Sequence, residues 1–381
     1  MGRPTRFIVK AHVWTATVHA LPTFALVHAF GPWIGACTGS SIWLAVALRL
    51  HRLGHDRPKP RWVTRLVDEP VYAHWGACAL GFLLWPLTTL ALAGFSGAGT
   101  ATAIFGAAAP AYLLALLVMA WGVYVNRRRV RIHRVELAFT DLPPAFDGFR
   151  ITQLSDLHIG SYDRVERGVA WAKLANSLQG DLIVVTGDLV TAGTAFYPDV
   201  TAAISELRAP CGVLVAMGNH DQWNNDELTA LLTARDVEVL RNRWLPIERG
   251  NDVLVIAGLD DAFAGKDDLA ATLAGRPQPA FTVLLSHYPR FFTAACESGV
   301  QLTLSGHTHG GQLGVPWFAD RWNVATLLGE RSRGTFSAEG AVLHVNAGLG
   351  TTGPPLRIGV RPEISVITLR RASAGGASAV S

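Results

Sequence analysis

Five short apolar runs in the second half of the chain each stop at a cluster of residues able to bind metal ions. Arg150 to Leu154 leads into Ser155-Asp156-Leu157-His158, and Leu182 to Val185 leads into Thr186-Gly187-Asp188. Val213 to Met217 runs into Gly218-Asn219-His220-Asp221, and Phe281 to Leu285 into Ser286-His287. Gln301 to Leu304 ends in Ser305-Gly306-His307-Thr308-His309-Gly310-Gly311. Runs this short, rich in Val, Ile and Leu and bounded by Gly or polar residues, predict strands buried on both faces. Helical patterns over Val165 to Leu178 and Asp226 to Ala234 separate some of them, so α/β layering is expected. In open α/β sheets the ligand site forms beyond the carboxyl ends of the strands, where all five clusters would converge.

Asp156, His158, Asp188, Asn219, His287, His307 and His309 supply carboxylate, amide and imidazole donors. That mixture suits manganese, iron or zinc and lacks the thiolates of a closed structural zinc site. In Asp156-x-His158 and His307-x-His309 the donors are two apart, so on a strand, or on a turn just past one, both can point into one cavity. A single Asp or His at a strand end is ordinarily a cap, but five separate strand ends carrying the needed donors are not explained that way. Seven ligands exceed what one zinc-like ion takes and suit two divalent ions bridged by a carboxylate. Two such ions, roughly 3.5 to 4 Å apart, generate hydroxide at neutral pH and clamp the attacking and leaving oxygens of a phosphoryl group.

The ordered motifs Asp156-x-His158, Gly187-Asp188, Gly218-Asn219-His220-Asp221, His287 and Gly306-His307-x-His309 resemble the calcineurin-like metallophosphoesterase superfamily over roughly Phe149 to Leu369. The flanking Ser155-Asp156-Leu157-His158-Ile159-Gly160, Gly310-Gly311-Gln312, Gly348-Leu349-Gly350 and Pro354-Pro355-Leu356-Arg357 resemble a bacterial membrane-anchored branch. Some of its relatives act on phosphodiesters, and one kind cleaves the pyrophosphate of UDP-2,3-diacylglucosamine. The resemblance implies an α/β/β/α sandwich of two mixed sheets and hydrolysis of a phosphodiester or pyrophosphate by metal-activated hydroxide. It further implies that Asp156, His158 and His309 hold one ion, that Asn219, His287 and His307 hold the other, and that Asp188 bridges them. His220 would act near the scissile phosphate as proton donor or charge stabiliser, with Asp221 orienting it; a helix N-cap is the plainer role for Asp221. Asp260, Asp261 and Asn346 also end apolar runs, where a turn or cap competes with support of a ligand. A broad phosphomonoesterase and a non-catalytic membrane sensor of metal or phosphate are the alternatives.

The first third reads differently. Half of all residues are apolar and 16% are charged, and the bias is concentrated in Ala11 to Phe30, Trp33 to Leu50, Val71 to Ala93 and Ile104 to Val125. Each approaches the roughly 20 residues of a membrane-spanning helix. A four-helix transmembrane domain over residues 1–126 is therefore expected, then a basic juxtamembrane linker over 127–148, the catalytic domain over 149–371 and a disordered tail over 372–381. Gly31-Pro32 predicts a tight reversal between the first two spans. A cleaved signal peptide would also put basic residues before an apolar run, but this run continues into further spans.

The net charge of +4 comes largely from arginines flanking the spans, with Arg127 to Arg134 expected to attract anionic headgroups. No aromatic-basic groove or nucleic-acid motif accompanies them, so phosphoesters and membrane lipids are the expected partners. Cys37, Cys78, Cys211 and Cys296 are isolated, in keeping with a reducing compartment. His12, His19, His28 and His74 fall in the apolar stretches, where ionisable groups are functional candidates; packing and hydrogen bonding are simpler readings than haem or a proton path. Trp14, Trp33, Trp75 and Trp121 read as interfacial anchors.

Basic residues alternate between connections. Arg3, Arg6 and Lys10 precede the first stretch; Arg52, Arg57, Lys59, Arg61 and Arg65 lie between the second and third; Arg127, Arg128, Arg129, Arg131 and Arg134 follow the fourth. The connections at Gly31-Pro32 and from Gly94 to Ala103 carry no Lys or Arg. This pattern predicts both termini in the cytoplasm of a bacterium, with the protein in its inner membrane. A reporter fused after Val125 or at the C-terminus should behave as cytoplasmic, and one between Gly94 and Ala103 as external. An external C-terminal reporter would mean that one stretch does not cross.

Overall fold

The computed structural model describes residues 12–50, 58–97, 99–372 and 379–380. The chain divides into two compact units: residues 1–55, 59–126 and 353–356, and residues 56–58, 127–352 and 357–381.

The first unit is helical. His12–Phe30, Arg61–Phe95 and Thr102–Arg128 are long and apolar enough to cross a membrane, with mean hydropathies of 1.2, 1.8 and 2.1. Pro32–Leu50 is a helix of 19 residues but is not among them. Gly35, Thr38, Gly39, Ser40 and Ser41 dilute its apolar character, so the expectation of four spans meets, among the described residues, three helices of spanning composition. The reversal at Gly31 does form, with a φ of 85° that favours glycine. Beyond it the helices pack closely: a Cβ on Gly39 would sit 2.4 Å from Thr23 Oγ1. Asp68 is buried and paired with Arg49 and, at 3.4 Å, with Lys59. Arg3, Arg6, Lys10, Arg52 and Arg57, among the basic residues that predict the orientation, lie outside the described residues.

The second unit stacks two sheets. The strands of the first are β1 (Arg131–Phe139), β2 (Arg150–Leu154), β3 (Leu182–Thr186), β4 (Val213–Ala216) and β5 (Glu238–Leu240), joined by β12 (Glu363–Arg371) and β13 (Ala379–Val380). Their order is β13-β1-β12-β2-β3-β4-β5. The second sheet contains β6 (Arg243–Arg249), β7 (Asp252–Gly258), β8 (Phe281–Leu285), β9 (Leu302–Ser305), β10 (Gly334–Ala338) and β11 (Ala341–Val345), in the order β10-β11-β9-β8-β7-β6. Both are mixed: β2, β3 and β4 run parallel, as do β7, β8 and β9, while β12 is antiparallel to β2 and β6 to β7.

Alternation along each strand assembles the layers. Leu182 and Val184 of β3, with Leu214 of β4, enter the core shared with Ile256, Val283 and Leu304 of the other sheet. Ile183 and Val185 face the opposite way, onto Trp171, Val200 and Leu228 of the covering helices Val165–Ser177, Tyr197–Ile204 and Asn225–Thr233. On the far side Ala257 and Leu284 pack against Leu273, Ala295 and Val300. The four layers are those of the expected α/β/β/α sandwich.

The segment expected as a basic linker is instead part of this unit. β1 pairs in parallel with β12 from Arg131↔Glu363 to Phe139↔Arg371. Val135, Leu137 and Phe139 share its inward face, while Arg134, Glu136 and Ala138 face the other way, a strand period hidden beneath the arginines. Arg127, expected to meet headgroups, is 2% exposed and pairs at 3.1 Å with buried Asp163, which Arg167 also engages. The tail expected to lack structure contributes β13, which pairs with Glu136 and Leu137.

Candidate metal centre

All five ligand clusters follow strands whose carboxyl ends meet at one edge of the sandwich: β2, β3 and β4 in one sheet, β8 and β9 in the other. Backbone hydrogen bonds fasten the clusters together, from Asp156 N to Gly187 O (2.9 Å), His158 N to Asp188 O (3.0 Å) and Gly306 N to His287 O (3.1 Å).

The donors form two groups that share one residue. Asp156, His158, Asp188 and His309 bring ligand atoms within 4.8 Å of one another, and so do Asp188, His287 and His307. His158 Nε2 lies 3.0 Å from His309 Nε2 and 3.4 Å from Asp188 Oδ2. His309 Nε2 lies 3.3 Å from Asp156 Oδ1. On the other side His287 Nε2 is 3.3 Å from Asp188 Oδ2 and 3.2 Å from His307 Nδ1. Asn219 joins this side through Tyr288, whose hydroxyl donates to Asn219 Oδ1 at 3.2 Å and whose ring centroid is 4.3 Å from that of His307.

The backbone bends sharply to aim these side chains. Asp156, His158, Asp188, His307 and His309 all have positive φ, between 45° and 69°. Non-glycine residues avoid this region, and such strain persists where surrounding structure and function hold it. Gly306 fits because a Cβ there would lie 1.9 Å from Ser155 Oγ and 2.4 Å from Asp156 Oδ2. Gly218 is confined likewise, its added Cβ falling 2.3 Å from Asp188 Oδ1.

Electrostatics suit cation binding. Burial pushes His158 down to about 3 and His307 down to about 4, and holds His309 well below its ordinary value. Neutral imidazoles of this kind offer a ring lone pair. Burial opposes a proton on His287, yet the Asp188 carboxylate beside it lifts its pKa to about 10. Burial alone would raise Asp188, but His287 and His158 hold it well below the carboxylate range. The pair therefore demands positive charge at the point where the two groups meet. With oxygen and nitrogen donors and no thiolate in either group, the residues fit manganese, iron or zinc.

Comparison with known proteins accords with this geometry. Residues 149–311 match the family model described as calcineurin-like phosphoesterase. The uncharacterized metallophosphoesterase YkuE of Bacillus subtilis is 32% identical over 269 residues, which cover 68% of this chain and 93% of that protein. The chain belongs to the calcineurin-like phosphoesterase family. An uncharacterized metallophosphoesterase of Aquifex aeolicus is 30% identical over 63% of this chain and 92% of its own length. A transmembrane protein with metallophosphoesterase domain from Bos taurus is 30% identical over 62% of this chain and 56% of that protein. The calcineurin-like phosphoesterases are metal-dependent hydrolases of phosphoric esters, and the helices of this member associate it with a membrane.

Asp221 does not orient His220 as expected. Its carboxylate accepts from Leu189 N (2.8 Å), Val190 N (3.2 Å) and Gly218 N (2.9 Å), fixing the loops that carry Asp188 and Asn219. It is not the N-cap of Asn225–Thr233 either; Asn224 is. The Nδ1–H of His220 donates to the Thr191 carbonyl at 2.5 Å, and its ring meets that of His158 edge-on with centroids 4.6 Å apart, which leaves Nε2 as the nitrogen not held by Thr191. Asp260 pairs with Arg241 at 2.8 Å and Asp261 accepts from Ala264 N at 2.7 Å, the ion-pair and turn roles. Asn346 is buried, donating to Ser365 Oγ and accepting from Gly348 N.

Two contributors escaped sequence reasoning. Tyr288 gave no signal beyond adjacency to His287. Arg357 stood in a recognised motif without a role; it is fully buried and donates to the carbonyls of Ala347 (2.9 Å), Gly348 (3.1 Å) and Gly350 (2.7 Å), with another N–H 3.3 Å from His309 O.

Gly306→Ala tests the packing of this centre. The added methyl should displace Asp156, lowering metal content and turnover together in a chain that still folds, as read by metal analysis and circular dichroism. Wild-type metal content and rate would show that Asp156 need not sit where it does.

Proposed function

We propose that the protein is a membrane-anchored phosphodiesterase with a dinuclear metal centre, acting on the phosphodiester or pyrophosphate bond of a lipid-linked substrate at the cytoplasmic face of the bacterial inner membrane. The observation that carries the reading is the sharing of Asp188 between two donor groups. In this assignment Asp156, His158 and His309 hold one ion, Asn219, His287 and His307 the other, and Asp188 spans both. Two divalent ions, as manganese, iron or zinc, supply a hydroxide nucleophile at neutral pH and a positive clamp for the phosphoryl oxygens. His220, held through Nδ1 by Thr191, presents Nε2 to the leaving oxygen as proton donor. The Thr191 carbonyl can only accept, so it fixes the proton on Nδ1 and with it the orientation of the ring. Asp221 acts as a positioning residue for the loops on either side.

An apolar surface beside the centre supports a lipid-linked substrate. Trp317, Phe318, Trp322, Leu327 and Leu328 are 59–95% exposed on the stretch that follows the His307–Gly311 motif. That stretch is tied to the motif by the bond from Thr308 Oγ1 to Ser332 O and by Asn323, which abuts Gly311. Such a patch fits acyl chains while the phosphoester reaches the metal side chains. UDP-2,3-diacylglucosamine has the required chemistry, a pyrophosphate joined to an acylated sugar. Arg128, at the end of the last spanning helix, and Arg129, Arg131 and Arg134 after it support a cytoplasmic catalytic unit.

The reading is tested with the full chain in detergent and manganese, comparing bis- with mono-nitrophenyl phosphate and following lipids in cells whose site is disabled. Preference for the diester and accumulation of a nucleotide-linked or phosphodiester lipid are expected. Preference for the monoester would overturn the diesterase reading, and an unchanged lipid profile would overturn the lipid one. Asp188→Asn should abolish turnover and lower metal content, because an amide cannot offer two anionic oxygens to two cations. Two tightly held ions with normal turnover would remove Asp188 from the bridging position. His220→Ala should keep both metals and slow the reaction by about a hundredfold to ten-thousandfold with poor leaving groups. Good leaving groups should be affected far less; equal losses would leave charge stabilisation as its role.

A further inference from the structure

The membrane unit holds a donor cluster that the phosphoesterase chemistry does not use. His19, on His12–Phe30, and His74 and Cys78, on Arg61–Phe95, bring one ligand atom each within 4.8 Å of one another. His74 Nε2 lies 3.2 Å from His19 Nε2 and 3.6 Å from Cys78 Sγ. His74 and Cys78 are four residues apart on one helix and so present the same face. His19 and Cys78 are buried and His74 is half-buried.

Each imidazole is held by its other nitrogen. His19 Nδ1 is 2.7 Å from the Thr15 carbonyl, which can only accept, so Nδ1 carries a proton and Nε2 presents its lone pair to the cluster. His74 Nδ1 is 2.7 Å from the Tyr112 hydroxyl on Thr100–Tyr124. Metal-ligating histidines are oriented in this way, the second ring nitrogen resting on an oxygen. One arrangement satisfies the rings without a metal: Tyr112 donates to His74 Nδ1, and His74 Nε2–H to His19 Nε2. It gives no part to the Cys78 sulfur, which is aimed at the same nitrogen.

We propose that His19, His74 and Cys78 form a binding site for a monovalent copper ion within the membrane unit. A thiolate with two imidazoles is a soft donor set, and such sets select monovalent copper over harder cations. Charge decides between copper and zinc. One thiolate, two neutral imidazoles and a monovalent cation sum to zero, whereas a divalent cation would leave a net positive charge among apolar helices, at high cost. Binding releases the Cys78 thiol proton to solvent. It also moves the His74 proton from Nε2 to Nδ1, where the Tyr112 oxygen accepts it.

The site is independent of the phosphoesterase centre, whose two donor groups contain no sulfur. The test uses the full chain in detergent micelles under reducing conditions, titrated with monovalent copper against a chromophoric copper chelator and measured by copper X-ray absorption. One copper ion per chain with a single sulfur scatterer is expected. Cys78→Ser should abolish the sulfur scattering. It should also weaken binding by more than the roughly 10- to 100-fold that loss of an outer hydrogen-bond partner costs. His19→Gln should weaken binding while keeping the sulfur signal, and Cys37→Ser, at an exposed position, should change neither. Manganese-dependent phosphoesterase activity of Cys78→Ser should match the wild type, which also reports that the chain has folded. Copper lost entirely to the chelator, or sulfur scattering that survives Cys78→Ser, would overturn the proposal and leave the cluster as a hydrogen-bond chain.

Discussion

The catalytic unit is organised around the Asp188 carboxylate, 2% exposed, which faces His158 Nε2 on one side and His287 Nε2 on the other. A buried charge left uncompensated costs several kcal/mol, so the surrounding loops must bring positive charge or strong donors to it. The His220 backbone N–H donates to its Oδ1 at 2.9 Å, and Gly218 comes so close that no larger residue fits. Because Asp188 belongs to both donor groups, a displacement there disturbs two sites at once. That dependence explains why Asp221, which belongs to neither donor group, gives its carboxylate to the Leu189, Val190 and Gly218 backbone N–H groups.

Strand architecture made the donors legible in sequence. Each ligand cluster begins within three residues of a strand end, and parallel strands send those ends to the same edge. The two-sheet arrangement adds something the runs alone did not state: β2, β3 and β4 approach from one sheet and β8 and β9 from the other. The centre therefore straddles the sandwich, and Gln153 bridges the halves by donating to Thr186 Oγ1 and Ser305 O, both at 3.0 Å.

What sequence concealed has a common physical cause: the partner is set by tertiary approach. β1 looked like a basic linker because its arginines dominate, although Leu137 and Phe139 carry its burial. The orientation of His220 was assigned to the adjacent Asp221, since neighbours in sequence are the partners a sequence offers. The actual acceptor, the Thr191 carbonyl, lies 29 residues away and has no side-chain signature. Arg357 is the same case in reverse, a long cation that donates to backbone carbonyls of loops that only the fold brings together and faces His309 Nδ1 at 3.3 Å.

The two units apply one electrostatic rule to different solvents. In the catalytic unit, two buried carboxylates stand among oxygen and nitrogen donors that suit a cation, and hydrogen bonds from backbone N–H groups, such as that from His307 N to Asp156 at 3.1 Å, help to hold the anions. In the membrane unit the His19, His74 and Cys78 cluster contains no carboxylate, and its rings are steadied by a backbone carbonyl and a phenol, both neutral. Such surroundings tolerate a site whose total charge vanishes and penalise one whose charge does not. The two donor sets therefore differ in charge as well as in softness, the one anionic and free of sulfur, the other built on a thiol and two imidazoles.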